Sequence, residues 1–454
     1  MTRNLLYAIL LFGGAAGCKP EKKTPAAPPP PFPHERIEER GVIDVCMYRN
    51  FTDYYLHDGM PRGFHHELVN DFVRHMGLKL HVETGANFDE ALRGLGEDHY
   101  DLVAMSLCVT GGRREEVAFS DPLFYSRWVI VRDRNSPRLD SLRQLAGREV
   151  FYHPGSEGRR VLERLRDSLR VSFQITEATG CTGEELLLAA ARGEMPLVIA
   201  AGHVARVATR AMPRLDGSLA LPGAFPVAWA LPREATFLLA DVNGWLEQFK
   251  KSGKLAALRD RYFNAPVSSS LARRDRSRIS AYDSIIKENA RLIGWDWRLL
   301  AALIHQESRF KPGVVSGFGA VGLMQVMPRT AITLGFPAYL SPRDNIRAGI
   351  AYLKFLQNVF SRYPFSPGER VKFILAAYNA GPGHVLDAMK LAEAYDHDPY
   401  TWENNVDYFL LNKSNPEFYR HVLVNHGYCD GKQVFAFVNE IIDTYNHYQN
   451  IIPE

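Results

Sequence analysis

The chain has 454 residues, which is too long for a single hydrophobic core and predicts two or three domains. Its 54 lysines and arginines nearly balance its 51 aspartates and glutamates, so the formal net charge of +3 indicates no nucleic-acid partner. The cysteines show no metal-ligand spacing, and the sequence predicts neither a metal nor a cofactor.

The first eighteen residues have the pattern of a bacterial secretion signal. A weakly positive leader, Met1–Asn4, precedes the apolar run Leu5–Ala16, which is too short for a permanent membrane span. The run ends in Ala-Ala-Gly-Cys18, which resembles a lipobox and implies that Cys18 carries a lipid anchor. Lys19 after the cysteine favours the outer membrane, and the Pro-rich residues 19–38 predict an extended periplasmic tether. An ordinary signal peptide with an incidental cysteine is the alternative.

Residues 39–265 alternate short apolar runs with amphipathic helical segments. This alternation is typical of an α/β protein with mostly parallel sheets. Helices are predicted at Glu67–Met76 and at Leu142–Ala146, where Asp140 is the expected cap.

Two cysteines end predicted strands in this region. Cys46 closes the run Val42–Cys46, and Cys108 closes the run Leu102–Cys108. In an oxidising periplasm the two thiols could pair if their strands are neighbours. Buried free thiols are the other interpretation, and the sequence leaves both open.

A set of short motifs, taken in order, resembles the family 3 periplasmic solute-binding proteins, the amino-acid-binding group. The motifs are Gly41–Val45, Gly63–Leu68, Asp101–Ala104, Val109–Arg113, Val117–Pro122 and Gly155-Ser156. The resemblance covers nearly all of residues 39–265. It implies two α/β lobes joined by crossing strands, one lobe discontinuous, with a ligand held in the cleft between them.

The same resemblance implies where an amino-acid or muropeptide ligand would bind. Arg113, three residues after Thr110, stands where the family binds the ligand carboxylate, and N–H groups at Gly155 and Ser156 would complete the anion site. The aspartate that usually binds the ammonium group is missing from Pro196–His203. Free amino acids should therefore bind weakly, and peptide fragments better. A solvated arginine is the alternative for Arg113.

Beyond residue 265 the pattern changes to a linker and then to helices. Residues 266–278 are rich in serine and arginine and predict the linker. Residues 279–450 predict a small α-helical, lysozyme-like domain, in which Asp296 caps a helix that runs to Glu307. Further helices are predicted at 282–289, Asn345–Phe360, Val371–Tyr378 and Gln433–Tyr448.

Three motifs in this helical region carry the strongest functional signal. They are Ala302–Phe310, Gly322–Pro328 and Ala376–Gly381. Together they resemble the goose-type lysozyme and soluble lytic transglycosylase family, whose members cleave the glycan strands of bacterial peptidoglycan with a single glutamic acid. In combination with the N-terminal region, the chain resembles the membrane-bound lytic murein transglycosylase F family.

The resemblance makes Glu307 the catalytic residue. Its apolar neighbours Leu303, Ile304 and Phe310 can raise the pKa of the carboxyl group, so that it donates a proton near neutral pH. No second carboxylate stands at a matching position, which in the family goes with cleavage of MurNAc-β-1,4-GlcNAc bonds without water, to 1,6-anhydroMurNAc ends. A hydrolytic muramidase and a non-catalytic peptidoglycan receptor are the alternatives, and a pure receptor would have no need of this acid. For Glu307 taken alone, a surface glutamate at a helix end is the alternative.

Five further residues match family positions near the acid. Ser308 would steady the glutamate by a hydrogen bond. Met324 and Gln325 resemble sugar contacts, and Tyr378 and Asn379 match a Tyr-Asn pair beside the acid. Core packing is the alternative for Met324 and for Tyr378.

One position departs from the family pattern. Phe437 stands where the family usually has a tyrosine, so a hydroxyl that could touch the substrate or the acid is missing. The rate or the subsite preference should therefore differ, while the acid itself remains.

Overall fold

Two β-sheets, one in each of two lobes, form the N-terminal region of the chain. The computed structural model describes residues 37, 39–85, 87–265, 278–337 and 341–452. The predicted signal peptide, with Cys18, lies outside the described residues, as do nearly all of the predicted tether and linker. Of the described helices, none is both long enough and apolar enough to cross a membrane.

The strands of the first lobe come from both ends of the N-terminal region. They are β1 Val42–Tyr48, β2 Tyr55–His57, β3 Met60–Arg62, β4 Lys79–Gly85, β5 Leu102–Cys108, β6 Ala118–Phe119, β7 Phe124–Ser126 and, much later, β13 Phe225–Leu231. The strands of the second lobe are β8 Trp128–Asp133, β9 Glu149–Tyr152, β10 Gln174–Glu177, β11 Leu197–Ala201 and β12 Leu215–Ala220.

The strand orders confirm the predicted two-lobe α/β architecture. The first sheet runs β4-β1-β5-β13-β6, with β7 also paired to β13, and the second runs β10-β9-β11-β8-β12. The strands β2 and β3 form a separate hairpin. Because β13 returns to the first sheet after the second is complete, the first lobe is discontinuous and the chain crosses between the lobes twice.

The prediction of mostly parallel sheets is wrong, because both sheets are mixed. β1 is parallel to β4 and β5, and β9 is parallel to β10 and β11. β8 and β13, in contrast, run antiparallel to their neighbours. These two strands follow directly after the crossings, so each enters its sheet from the other lobe, against the direction of the βαβ units.

Helices cover both sheets. They are α1 Phe64–Met76, α2 Phe88–Gly96, α3 Gly111–Glu116, α4 Gly158–Leu169, α5 Gly183–Arg192, α6 Gly202–Ala211, α7 Thr236–Lys251 and α8 Lys254–Arg259, which continues into a π-helical turn at Asp260–Asn264. The segment predicted at Leu142–Ala146 is a 3₁₀ helix, Leu142–Leu145, and its cap is Ser141 rather than Asp140. Ser141 and Gln144 form a reciprocal capping box, which an aspartate one residue earlier cannot form.

The C-terminal region is helical, as predicted. Its helices are α9 Asp283–Arg291, α10 Trp297–Ser308, α11 Pro328–Thr333, α12 Pro342–Phe360, α13 Pro367–Ala380, α14 Pro382–Ala394, a π-helical turn Trp402–Val406, α15 Asp407–Leu411, α16 Pro416–Tyr419 and α17 Gly431–Ile451. Asp296 caps α10, since its side chain accepts a hydrogen bond of 2.8 Å from the N–H of Arg298.

The two cysteines that end predicted strands are free thiols. Cys46 and Cys108 lie on the neighbouring strands β1 and β5, but the parallel register places Cys46 opposite Val103. Both side chains are buried, and burial raises the pKa of each thiol to about 12. Of the two interpretations left open, the structure therefore supports buried free thiols.

The two regions share one continuous hydrophobic core, which extends from β1 and α1 to α17. Polar contacts cross the same boundary. The Tyr54 hydroxyl lies 2.5 Å from Nε2 of His447, and Arg49 donates a hydrogen bond of 2.5 Å to the carbonyl of Ile451. The hairpin formed by β2 and β3 also lies against the helical region, close to the end of α10, where Met60 contacts His305.

Candidate active site

Glu307 lies in the last turn of α10, the helix that runs through the middle of the helical region. Residues 298–304 of this helix are all buried, because α9 and α17 pack against it. The Glu307 side chain is half-buried at the end of this apolar column. Burial raises the pKa of its carboxyl group to about 8, in the direction that its apolar neighbours predict.

The backbone reverses direction immediately after the acid. Arg309 and Phe310 have φ values of 50° and 57°, a left-handed conformation that side chains other than glycine seldom adopt. Each such residue costs on the order of 1 kcal/mol and persists only where the surroundings hold it. Phe310 is buried, and its ring centroid lies 5.8 Å from that of His305.

Three side chains from three helices hold the loop that faces the acid. Ser308 donates a hydrogen bond of 2.7 Å to the carbonyl of Leu323, and Tyr378 donates one of 2.7 Å to the carbonyl of Met324. Asn345, at the start of α12, accepts a hydrogen bond from the N–H of Met324 and donates one to the carbonyl of Val321, both 2.8 Å. The loop backbone is therefore fixed on three sides.

Two glycines permit this close packing. Gly322 has a φ of 82°, and a β-carbon there would lie 2.5 Å from Nδ2 of Asn345. A β-carbon on Gly349 of α12 would collide with the Met324 side chain. Both positions therefore require glycine for the loop to reach α12.

The predicted role of Ser308 is wrong in its geometry. The Ser308 hydroxyl is buried and is directed to the carbonyls of Leu323 and Ile304 rather than to the carboxyl group of Glu307. A hydroxyl on the last turn of a helix readily reaches the carbonyl four residues back, and here it also reaches the facing loop. Ser308 thus positions the loop.

The other predicted residues also lie near Glu307, but they differ in burial and in their hydrogen bonds. The Met324 side chain is fully buried, so core packing accounts for it. Gln325 donates hydrogen bonds of 3.0 and 2.8 Å to the carbonyls of Val314 and Gly322, which leaves its amide oxygen as the group that could face a sugar. Asn379 is half-buried in the last turn of α13, and Phe437 is buried in α17.

Tyr378 lies close enough to Glu307 for the two groups to interact electrostatically. Burial, with smaller contributions from Glu307 and Tyr352, raises the pKa of the Tyr378 hydroxyl well above its usual value. The hydroxyl therefore stays protonated and keeps its hydrogen bond to the loop. Asn345, which also holds this loop, was not predicted from the sequence. Its signal in the sequence is a polar residue on the apolar face of a predicted helix.

A second site lies between the lobes of the N-terminal region, where a cavity of about 100 Å³ separates them. The Tyr48 hydroxyl of the first lobe lies 3.1 Å from Nε2 of His153 and accepts a hydrogen bond of 3.1 Å from the N–H of Gly183. The N–H of Phe51 donates to the Glu184 carboxylate of the second lobe. These contacts hold the two lobes together around the cavity.

Arg113 lines this cavity and is buried, so the interpretation as a solvated arginine is wrong. Its guanidinium group donates hydrogen bonds of 3.2 and 2.9 Å to the carbonyls of Cys108 and Gly155. It also lies 3.8 Å from Asp89 and 3.7 Å from Glu157. Because these partners belong to both lobes, Arg113 bridges the cleft.

The remaining predicted cleft residues divide between the cavity and its rim. The Thr110 hydroxyl caps α3 by accepting a hydrogen bond of 3.3 Å from the N–H of Arg113, and it lies outside the cavity. Gly155 contributes its carbonyl to Arg113 rather than an N–H to an anion. Ser156 lines the cavity and donates a hydrogen bond of 2.6 Å to the carbonyl of His153.

Three acidic residues that were missed in the sequence line the cavity. They are Asp53, Glu157 and Glu184, all buried. Asp53 accepts hydrogen bonds of 3.1 and 2.9 Å from the N–H and the hydroxyl of Ser106. Its position just beyond the carboxyl end of a parallel strand, where ligands bind in open α/β sheets, could have indicated it.

Both regions of the chain are similar to known proteins. The family model for the transglycosylase SLT domain matches residues 284–401, and that for bacterial extracellular solute-binding proteins, family 3, matches residues 43–265. A membrane-bound lytic murein transglycosylase F from Pseudomonas putida (strain W619) is 30% identical over 416 residues, which cover 90% of this chain and 84% of that protein. The chain belongs to the membrane-bound lytic murein transglycosylase F family.

A further relative and one solved structure are also similar to the chain. A membrane-bound lytic murein transglycosylase F from Desulfosudis oleivorans is 28% identical over 417 residues, covering 90% of each chain. Among solved structures, holo ArgBP from T. maritima has a TM-score of 0.44 and 23% identity, covering 50% of this chain and 99% of that chain. As a member of the transglycosylase F family, the chain is a peptidoglycan lytic transglycosylase with a solute-binding-like N-terminal region.

The hydrogen bonds from Asn345 to the loop backbone give a first prediction. Asn345→Ala leaves the buried N–H of Met324 and carbonyl of Val321 without their partner, which should lower the free energy of unfolding by about 1–3 kcal/mol per group. Transglycosylase activity should fall with it. Asn358→Ala, on an exposed part of the same helix, is the control and should change neither. Chemical denaturation of both variants measures the difference, and equal stabilities would contradict a stabilising role of these hydrogen bonds.

Proposed function

We propose that Glu307 is the general acid and then the general base of the transglycosylase reaction. The observation that carries the proposal is the position of Glu307 at the end of the buried helix α10, where burial raises the pKa of its carboxyl group to about 8. At neutral pH the carboxyl group is therefore largely protonated and can donate a proton to the leaving oxygen of the glycosidic bond. The SLT family match, which includes this residue, supports the assignment.

The reaction can be written around this one group. Glu307 protonates the glycosidic oxygen while the bond from C1 of N-acetylmuramic acid to that oxygen breaks. The resulting carboxylate then takes the proton of the 6-hydroxyl group of the same sugar as its oxygen bonds to C1. The product is a 1,6-anhydroMurNAc end, no water is consumed, and the carboxyl group returns to its protonated state. A hydrolytic muramidase is the alternative, and it would deliver water to C1 instead.

The surrounding residues support substrate binding. The loop Val314–Val326 is held rigidly beside the acid, and the amide oxygen of Gln325 is available to accept a hydrogen bond from an acetamido N–H. We assign Asn379 to the substrate side of α13, beside Tyr378. The fully buried Met324 and the bonded Ser308 shape this surface without touching the sugar.

The site of action follows from the start of the chain and from the relatives. Curated relatives are named membrane-bound, and the Ala-Ala-Gly-Cys18 sequence resembles a lipobox. We propose that residues 1–18 form a lipoprotein signal peptide, that Cys18 anchors the protein to the outer membrane, and that residues 19–38 tether it in the periplasm. The domain boundaries at 39–265, 266–278 and 279–450 belong to this proposal.

We propose that the cleft of the N-terminal region binds an amino acid or a peptide fragment of peptidoglycan. Arg113 would exchange its carbonyl partners for the ligand carboxylate, and Ser156 would assist it. The buried carboxylates Asp53, Glu157 and Glu184 offer partners for an ammonium group, in place of the aspartate that is missing from the late strand. The ligand should therefore carry both charges.

Glu307→Gln tests the acid. The amide keeps the shape of the side chain but cannot donate a proton of the required acidity, so muropeptide release from purified peptidoglycan should fall about 10²- to 10⁴-fold. Glu393→Gln replaces an exposed glutamate of the same region and should retain full activity. If Glu307→Gln released muropeptides within a few-fold of the wild-type rate, the assignment would be wrong.

The raised pKa predicts a pH dependence of rate and stability. The protonated form is active, so kcat/KM should be constant below and fall above a pH of about 8. The folded-state pKa exceeds the value of 4.5 for an ordinary glutamate, so wild-type stability falls as the pH rises from about 5 to 8. The melting temperature of Glu307→Gln should exceed that of the wild type by a margin that grows over this range and is constant above it. A fall in kcat/KM that begins near pH 5 would contradict a raised pKa of the Glu307 carboxyl group.

Calorimetric titration tests the cleft. Stem peptides of peptidoglycan should bind the wild type, and Arg113→Ala should weaken binding about 10- to 100-fold, as expected for a lost charged hydrogen bond. Arg114→Ala removes an exposed neighbour and is the control. Bound peptide should change muropeptide release severalfold, since coupling energies between sites are typically about 1–3 kcal/mol. If Arg113→Ala bound the peptides as tightly as the wild type, Arg113 would not be part of the binding site. If bound peptide left muropeptide release unchanged, the proposed coupling between the sites would be wrong.

A further inference from the structure

The hairpin formed by β2 and β3 reaches from the N-terminal region to the turn that carries Glu307. Its tip, Asp58-Gly59, is inserted between three parts of the helical region. The Tyr448 hydroxyl donates a hydrogen bond of 3.1 Å to the carbonyl of Gly59, and the N–H of Gly59 donates one of 3.0 Å to the carbonyl of Ile279. The hairpin is thus bonded to both ends of the helical region's sequence.

The hairpin also directly contacts α10, the helix that carries Glu307. Nε2 of His305 lies 3.1 Å from the sulfur of Met60, and His305 precedes Glu307 by two residues. Burial lowers the pKa of His305 to about 4, with a smaller contribution from Arg309. The imidazole is therefore neutral at the pH of catalysis. Because methionine sulfur only accepts hydrogen bonds, the Nε2–H group donates to it.

The space around Gly59 shows how closely the hairpin covers the turn. A β-carbon on this residue would lie 2.5 Å from the Tyr448 hydroxyl, 2.7 Å from the Phe310 ring and 3.0 Å from the His305 ring. His305 and Phe310 flank Glu307 on both sides in sequence, and their rings are tilted at 36° with centroids 5.8 Å apart. The hairpin backbone therefore lies on a pair of aromatic rings that come from the residues before and after Glu307 in the sequence.

The turn needs such support from outside the helix. Two consecutive residues after Ser308, Arg309 and Phe310, adopt left-handed conformations, and a conformation of this kind is retained only where the surroundings determine it. Ser308 holds the turn on the side of the loop. Gly59 and Met60 contact Phe310 and His305, and the Tyr448 ring centroid lies 6.4 Å from that of His305.

We propose that the β2–β3 hairpin is a positioning element of the catalytic site, in which Gly59 and Met60 hold the His305–Phe310 pair and thereby fix the placement of the Glu307 carboxyl group. The inference rests on the proposed role of Glu307. It makes the N-terminal region a structural part of the active site, in addition to any ligand that its cleft binds. On this proposal the hairpin residues act through the turn that they contact.

The test compares two glycines of the full chain that have the same positive φ. Gly59 and Gly77 both have a φ of 71°, but a β-carbon on Gly77 meets nothing within 4 Å. Gly59→Ala and Gly77→Ala therefore carry the same local strain, and only Gly59→Ala displaces the turn. We expect Gly59→Ala to lower kcat on purified peptidoglycan at least tenfold with a small change in KM. The basic limb of its pH–rate profile should move to lower pH, because the carboxyl group becomes more exposed. Gly77→Ala should stay within twofold of the wild type.

A second substitution keeps the inference testable if Gly59→Ala does not fold. Met60→Ala introduces no collision and removes the contact to His305, so kcat should fall severalfold and the basic limb should shift in the same direction. Met60→Leu restores the volume and should recover part of the activity. A folded Gly59→Ala or Met60→Ala protein with wild-type kcat and pH profile would overturn the inference. If Glu307→Gln is inactive in the same assay, wild-type behaviour of the hairpin variants contradicts only the role of the hairpin. If Glu307→Gln is fully active, the proposed roles of Glu307 and of the hairpin are both wrong.

Discussion

Burial of one carboxyl group at the end of a helix is the constraint on which the catalytic region depends. The helix α10 is apolar at every position from Leu299 to Ile304, and Glu307 lies at the end of this apolar column. Taking a carboxylate out of water is unfavourable, so the group holds its proton to a pH of about 8. A single residue can then serve as acid and as base in turn. That property makes a second carboxylate unnecessary for a reaction in which the sugar supplies its own nucleophile.

The rest of the site keeps this group in place. Ser308, Asn345 and Tyr378 come from three helices and all bond to the backbone of one loop, which leaves the loop little freedom. The hairpin tip at Gly59 closes the opposite side of the turn. On the proposal made above, the site is assembled from both regions of the chain, which share a single hydrophobic core.

The sequence was sufficient where the information is local or carried by a motif. The Asp296 cap, the helix that ends in Glu307, and the discontinuous first lobe were all predictable, since each depends on spacing along the chain or on an ordered set of motifs. Partners across elements were not predictable. Ser308 bonds to a loop carbonyl instead of the acid, and Arg113 bridges two lobes. Asn345 was identifiable only as part of a predicted helix, because the loop it binds comes from elsewhere in the chain.

The central claim is that one buried acid cleaves the glycan strand without water. Digestion of purified peptidoglycan by the full chain in H₂¹⁸O, followed by mass spectrometry of the muropeptides, tests it directly. The account predicts fragments that end in 1,6-anhydroMurNAc, weigh one water less than hydrolysis products and contain no ¹⁸O. Fragments with ¹⁸O at a reducing N-acetylmuramic acid would contradict it.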